Sequence, residues 1–129
     1  MTLNDPISNV LSTMMNAEKI GRKECVVRGS KIIKEVLNIL NRYNYAGSFK
    51  EDETRRGSYL TVNLLGSINK CGVIKPRYSV SKDNFEKFEK RYLPAKNFGI
   101  LIISTNKGLK SDEDAKKEKH GGRLIAFCY

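Results

Sequence analysis

The chain has no tryptophan, one histidine, three prolines and three cysteines among its 129 residues. Each scarcity excludes something. His120 has no clustered carboxylates or thiols around it in sequence, so no metal site is expected. Cys25, Cys71 and Cys128 are odd in number, widely spaced and without Cys-x-x-Cys spacing. They read as buried or idle reduced thiols, which agrees with a cytosolic setting. No apolar run approaches the roughly 18–20 residues of a membrane span. The opening MTLNDPISNV lacks the basic-then-apolar pattern of a signal peptide. The expected compartment is the cytoplasm, with no membrane partner. Neither GxxxxGK[ST] nor a GxGxxG after a strand is present, so no nucleotide site is expected. For hydrolysis, His120 would have to serve Ser104 or Thr105 as base with no orienting carboxylate. The expectation is a protein that is not an enzyme, with no cofactor and no small-molecule substrate.

Acidic residues are also few. There are 14 Asp and Glu against 24 Lys and Arg, a formal net charge of +10. Residues 1–65 carry 10 basic and 7 acidic side chains, and residues 66–129 carry 14 and 7. Such an excess suits a polyanion, through counterion release and electrostatic steering. It is also compatible with a basic soluble protein that has no nucleic-acid role. The length allows one domain or two small ones.

Asn4-Asp5-Pro6 reads as a helix start, with Asn4 or Asp5 as cap and proline in the first turn. Ile7, Val10, Leu11, Met14 and Met15 make one face, and Gly21 ends the helix. Cys25 to Val27 reads as a short strand. Ser30 caps a second helix with the stripe Ile33, Val36, Leu37 and Leu40. A hairpin follows, with strands over Ala46–Glu51 and Tyr59–Leu65 and a turn near Arg55-Arg56-Gly57. Val73-Ile74 and Tyr78–Val80 look like strands, broken near Pro76. Asp83 is expected to cap a short helix carrying Phe85, Phe88 and Tyr92. Gly99–Ile103 is a strand, Ser104–Gly108 a loop, and Ser111 with Asp114 a capping-box start. Gly121-Gly122 turns into a last strand, Leu124–Tyr129. The sum is an α+β protein of two small domains. Residues 1–66 run α-β-α-β-β; residues 67–129 are mostly β with short helices.

Ser104, Thr105, Asn106, Lys107 and Gly108 stand just past a buried strand, and Gly121-Gly122 just before another. If these strands pair, both glycine-bearing bends come to one side. Short hydroxyls and an amide can donate and accept toward base edges and ribose 2′-OH groups. Glycines admit a close backbone and lysines answer phosphates. By itself, Ser-Thr-Asn-Lys-Gly also reads as an ordinary turn.

Three stretches carry a family resemblance. GILIISTNKG…AKKEKHGGRLIAFCY resembles the C-terminal part of small-subunit ribosomal protein eight. LGSINKCGVIKPRY is similar to the central segment of its archaeal and eukaryotic-type members, and NDPISNVLSTMMNA to the family's opening. The resemblance implies a structural constituent of the small ribosomal subunit that binds the central domain of small-subunit rRNA directly and supports assembly. It implies neighbouring ribosomal proteins as partners and a monomer when free. Ser104 and Thr105 match the loop that enters an irregular minor groove, with Asn106, Lys107 and Gly108 completing it. Gly121 and Gly122 match a second contact loop. Arg123 stands where bacterial members commonly have glutamate, which makes a phosphate contact plausible. Asp5 and Asn16 match family positions, and Arg22, Lys23 and Lys31 are candidates for a second RNA segment. Lys75 and Arg77, beside Pro76, are candidates for phosphate contact. Some members repress their own mRNA, and a basic protein–protein adaptor using the edge near Pro76 is the alternative from another class.

Among the remaining basic and aromatic residues, Tyr78 and Tyr92 are read as core rather than stacking platforms. Lys116, Lys117 and Lys119 suit phosphate contact or a solvated face equally, and so do Arg55 and Arg56.

Overall fold

The computed structural model describes residues 6–74, 77–81, 83–95 and 98–129. It divides into two compact units, Met1–Lys70 and Cys71–Tyr129. The described residues form four helices and two antiparallel sheets, of three and five strands, an α+β architecture.

In the first unit, α1 (Pro6–Ile20) buries Ile7, Val10, Leu11, Met14 and Ala17. Met15, expected on that stripe, is only half-buried. Its expected caps, Asn4 and Asp5, lie outside the described residues. Gly21 ends the helix at φ +82°, a conformation that costs glycine no Cβ clash. The strand β1 (Glu24–Arg28) alternates, burying Cys25 and Val27. Helix α2 (Lys31–Arg42) starts where Ser30 Oγ accepts the Ile33 N–H at 3.4 Å. It buries Ile33, Val36, Leu37 and Leu40 completely. At about 1.5–3 kcal/mol per buried aliphatic side chain, that stripe outweighs the helix's modest propensity. The hairpin β2 (Ala46–Thr54) and β3 (Gly57–Leu64) completes the sheet in the order β1-β3-β2.

Register explains which side chains face the helices. Cys25, Val62 and Phe49 form one row, and Val27, Leu60 and Glu51 the next. Glu51 ends the second row and meets Lys34 of α2 at 2.6 Å. β2 runs three residues beyond the expected Glu51. Its last residues are exposed, so no apolar alternation marks them.

In the second unit, β4 (Cys71–Val73) and β5 (Ser79–Val80) both pair with β8 (Gly122–Cys128). Next to β8 lies β6 (Ile100–Thr105), and then β7 (Gly108–Ser111). Helix α3 (Phe85–Tyr92) contributes Phe85 and Phe88 to a core with Ile74, Val80, Leu93, Leu101, Ile103, Ala115 and Leu124. Helix α4 (Asp112–Glu118) is capped by Ser111, whose Oγ accepts the Asp114 N–H at 3.3 Å.

Two expectations need correction here. Asn84, not Asp83, stands at the N-cap of α3, and it makes no side-chain cap bond. The Asn84 N–H instead closes a turn onto the Ser81 carbonyl. Ser104–Gly108 is not a five-residue loop: Ser104 and Thr105 finish β6 and Gly108 begins β7. Only Asn106 and Lys107 lie between the strands.

Candidate nucleic-acid interface

The β6–β7 turn is built by Thr105. Its hydroxyl donates to the Gly108 carbonyl at 2.8 Å and accepts the Lys107 N–H at 3.2 Å. Gly108 adopts φ +107°, while Asn106 and Lys107 keep negative φ. The glycine therefore supplies the one backbone conformation that an L side chain resists. Asn106 and Lys107 are exposed, and Thr105 and Gly108 half-buried.

β8 starts alongside this turn. Ser104 lies opposite Leu109 of β7 and opposite Arg123 of β8. The β6–β7 turn and the start of β8 are thus neighbours, held by a three-strand ladder. The expected turn at Gly121-Gly122 is made instead by Lys119, at φ +57°, and Gly122 already belongs to β8. Gly122 explains itself within the protein: a Cβ there would clash with the Ser104 carbonyl oxygen and stand 2.9 Å from Ile103 Cγ2. The demand for glycine at 122 comes from the adjoining strand, whatever else approaches. Gly121 and Arg123 are exposed.

The Ser104-Thr105 pair does not act as one surface. Successive strand residues point to opposite faces. Thr105 is occupied by the turn, whereas Ser104 is half-buried and its hydroxyl makes no hydrogen bond among the described residues. The available polar surface is therefore Ser104, Asn106, Lys107, Gly121 and Arg123.

Basic residues around the bends divide into committed and uncommitted. Lys110 of β7 is paired with Glu118 of α4, whose carboxylate also lies 4.0 Å from His120 Nε2. Lys117 reaches Glu113 at 3.6 Å on the exposed side of α4. Lys116 is paired with Glu89 of α3, which is 8% exposed. Lys116 thus neutralises an interior carboxylate, so its charge is not on a simply solvated face. Lys119 closes α4 in the left-handed conformation. Asp112 lies beside Glu89, and its Oδ1 accepts the Leu101 N–H at 3.3 Å. Burial first, and then the hydrogen bond with Glu89, push the Asp112 carboxyl up to about 6. This buried cluster ties α3 and the start of α4 to β6.

Tyr78 and Tyr92 pack against the core as expected. The Arg91 guanidinium lies 5.3 Å from the Tyr78 ring centre and 5.6 Å from that of Tyr92. Lys75 lies outside the described residues, and Arg77 is exposed.

The family model for ribosomal protein S8 matches residues 5–129. The chain belongs to the ribosomal protein S8 family. A small ribosomal subunit protein uS8 from Methanococcoides burtonii is 47% identical over 130 residues, covering 100% of both chains.

In the first unit the candidates do not form one cluster. Asn16 and Arg22 line a common cleft of about 580 Å³ with Thr13, Ile20 and Val26. Lys23 is next to Arg22 and exposed, and its carbonyl accepts the Leu64 N–H. Lys31 follows Ser30 at the other end of β1, roughly 17 Å away at about 3.4 Å per strand residue. Asp5 lies outside the described residues. No helix among the described residues is long and apolar enough to cross a membrane.

Sequence reasoning missed β7, and with it the Lys110–Glu118 pair that holds β7 to α4. Leu109-Lys110-Ser111 offers one apolar residue and no alternation. The signal that was available is local: Thr-x-Lys-Gly repeats the Thr-x-Arg-Gly of the first hairpin.

Proposed function

We propose that this chain is a constituent of the small ribosomal subunit that binds small-subunit rRNA directly, in its central domain, and rigidifies an irregular helix there. The observation that carries this reading is the juxtaposition of the β6–β7 turn and the start of β8 across the Ser104–Arg123 register. Asn106 presents both a donor and an acceptor, and Ser104 a hydroxyl, toward base edges or ribose. Lys107 and Arg123 answer phosphates, and Gly121 leaves the backbone open. Thr105 and Gly108 act indirectly, by shaping the turn, and Gly122 by letting β8 lie against Ser104. Asn16, Arg22 and Lys23 form a second contact area; Lys31, Asp5, Lys75 and Arg77 are further candidates. Family membership supports the reading, and so does the +10 charge. The work is recognition without bond-making, in the cytoplasm, beside neighbouring ribosomal proteins.

Filter binding with fragments of small-subunit rRNA tests this. One central-domain hairpin is expected to be retained against bulk RNA competitor at moderate salt. Equal retention of all fragments, or release of all of them at moderate salt, would point to charge alone or to an adaptor role.

A further inference from the structure

Cys71 and Cys128 are far apart in sequence, yet they are direct partners in the sheet. β4 and β8 pair in the register Cys71–Cys128, Gly72–Phe127, Val73–Ala126. The Ile74 N–H bonds the Ile125 carbonyl at 3.0 Å, which sets the phase of the ladder. Opposed residues in an antiparallel pair alternate between hydrogen-bonded and non-hydrogen-bonded sites. With Ile74 opposite Ile125 in the first kind, Cys71 and Cys128 fall in the second, where Cα atoms stand about 4.5 Å apart. Both side chains then lie on one face. A disulfide accepts a Cα separation of about 4.4–6.8 Å.

We propose that Cys71 and Cys128 form a two-thiol oxidation site that consumes a hydroperoxide and closes a disulfide across the second unit. Cys71 is 6% exposed and sits on a three-residue strand at the outer edge of the sheet; Cys128 is fully buried. Edge fraying therefore presents Cys71 first. Its thiolate attacks the peroxide oxygen, giving a sulfenic acid and releasing the alcohol, or water from hydrogen peroxide. Cys128 then attacks the Cys71 sulfur, the S–S bond forms, and the sulfenic oxygen leaves as water with the thiol proton. Two thiols are oxidised and one peroxide is reduced. The bridge joins the first residue of the unit to the one before its last. So long a closed loop strongly constrains the unfolded chain. Cys25 has no such partner in register: it opposes Val62. Burial, and then the nearby Glu18 charge, push its thiol upward and lower its reactivity.

The test is to treat the full chain with hydrogen peroxide, denature it and titrate its thiols. The three thiols should fall until Cys25 alone remains, with a mass loss of two hydrogens and a Cys71–Cys128 peptide pair on digestion. Dithiothreitol should restore all three. The thermal midpoint of the oxidised protein should rise by about 5 °C or more. Cys25→Ser should form the same bridge, and Cys71→Ser should leave Cys128 reduced under the same dose. The proposal is overturned if Cys25 is lost first, if the products are covalent dimers, or if wild type and Cys25→Ser both gain oxygen without forming the bridge. None of these outcomes needs a cysteine removed from the second unit.

Discussion

Thr54-Arg55-Arg56-Gly57 and Thr105-Asn106-Lys107-Gly108 close their hairpins with the same bonds. In the first, the Thr54 hydroxyl donates to the Gly57 carbonyl at 2.9 Å and accepts the Arg56 N–H at 3.3 Å. In the second, the corresponding distances are 2.8 and 3.2 Å. Each turn also has a third strand end beside it, carrying one glycine and one arginine. For the first it is Arg28-Gly29, with the Gly29 N–H bonded to the Ser58 carbonyl at 2.8 Å. For the second it is Gly122-Arg123. What differs is the cargo. The first turn displays two guanidiniums, and its flanking Ser58 hydroxyl is taken by Glu51 at 2.8 Å. The second displays an amide and an ammonium beside the uncommitted Ser104. Charge alone grips a phosphate of any sequence, while an amide and a hydroxyl can discriminate among base edges. The same scaffold can thus serve grip in one unit and discrimination in the other.

The largest expected effect separates the two glycines. At Gly122 an added Cβ would strike the Ser104 carbonyl oxygen, whereas at Gly29 it would meet only Ser58 Oγ at 3.0 Å and Leu60 Cγ at 3.1 Å. Gly122→Ala should cost about 4 kcal/mol or more in urea unfolding, or prevent folding, and Gly29→Ala about 1 kcal/mol. Similar costs would break the distinction between a rigidly and a loosely backed tip.

Next comes pH, where the units should respond with opposite sign. The Asp112 carboxyl is raised from 3.8 to about 6. Between those values the folded state holds the proton more tightly than the unfolded one. The second unit's stability from this group is therefore full below about pH 4 and falls until about pH 6. Glu51 is the reverse case: hydrogen bonds from Lys34 and Ser58 hold it below its ordinary value. Its contribution is present above the ordinary carboxylate range and is lost as pH falls through the folded value. Asp112→Asn keeps an acceptor for Leu101 and a donor for Glu89. It should remove a slope worth at most about 3 kcal/mol, at about 1.4 per pKa unit. Urea unfolding at pH 4, 5, 6 and 7 reads this, and an unchanged slope would remove Asp112 as its source.

The recognition chemistry gives the third contrast. Asn106→Ala should weaken cognate RNA by about 1–3 kcal/mol without changing stability. Arg55→Gln with Arg56→Gln should lower the salt slope by up to about two units and leave fragment preference intact. If the arginine pair changed preference and Asn106 did not, the roles would be exchanged. The smallest effect should be the most alike. Thr54→Ala and Thr105→Ala each remove a shared pair of turn bonds and should each cost about 1 kcal/mol in unfolding.

Much of this was legible from short-range pattern. The α2 stripe at 33, 36, 37 and 40 and the caps at Ser30 and Ser111 follow from helical period and hydroxyl chemistry alone. The nearness of Ser104–Gly108 to Gly121-Gly122 followed from one inference, that the strands before 104 and after 122 pair. β7 was not legible, because its Lys110 and Ser111 answer to α4 rather than to a two-residue alternation. The shift from Asp83 to Asn84 reflects a turn bond to Ser81 that no propensity encodes. Register hid the rest: Cys71 opposite Cys128, and the Ser104 carbonyl beneath residue 122, exist only once distant strands are aligned.

The threonine–glycine clasp has a consequence for change over time. Because both ends of each turn are closed by the threonine, the glycine and one backbone N–H between them, the side chains of the two middle residues bear no part in holding the turn. Those side chains can be exchanged, proline at the second position excepted, while the strands below stay in place. Each half of the molecule thus holds a socket whose contents are free to be retuned to whatever surface it meets.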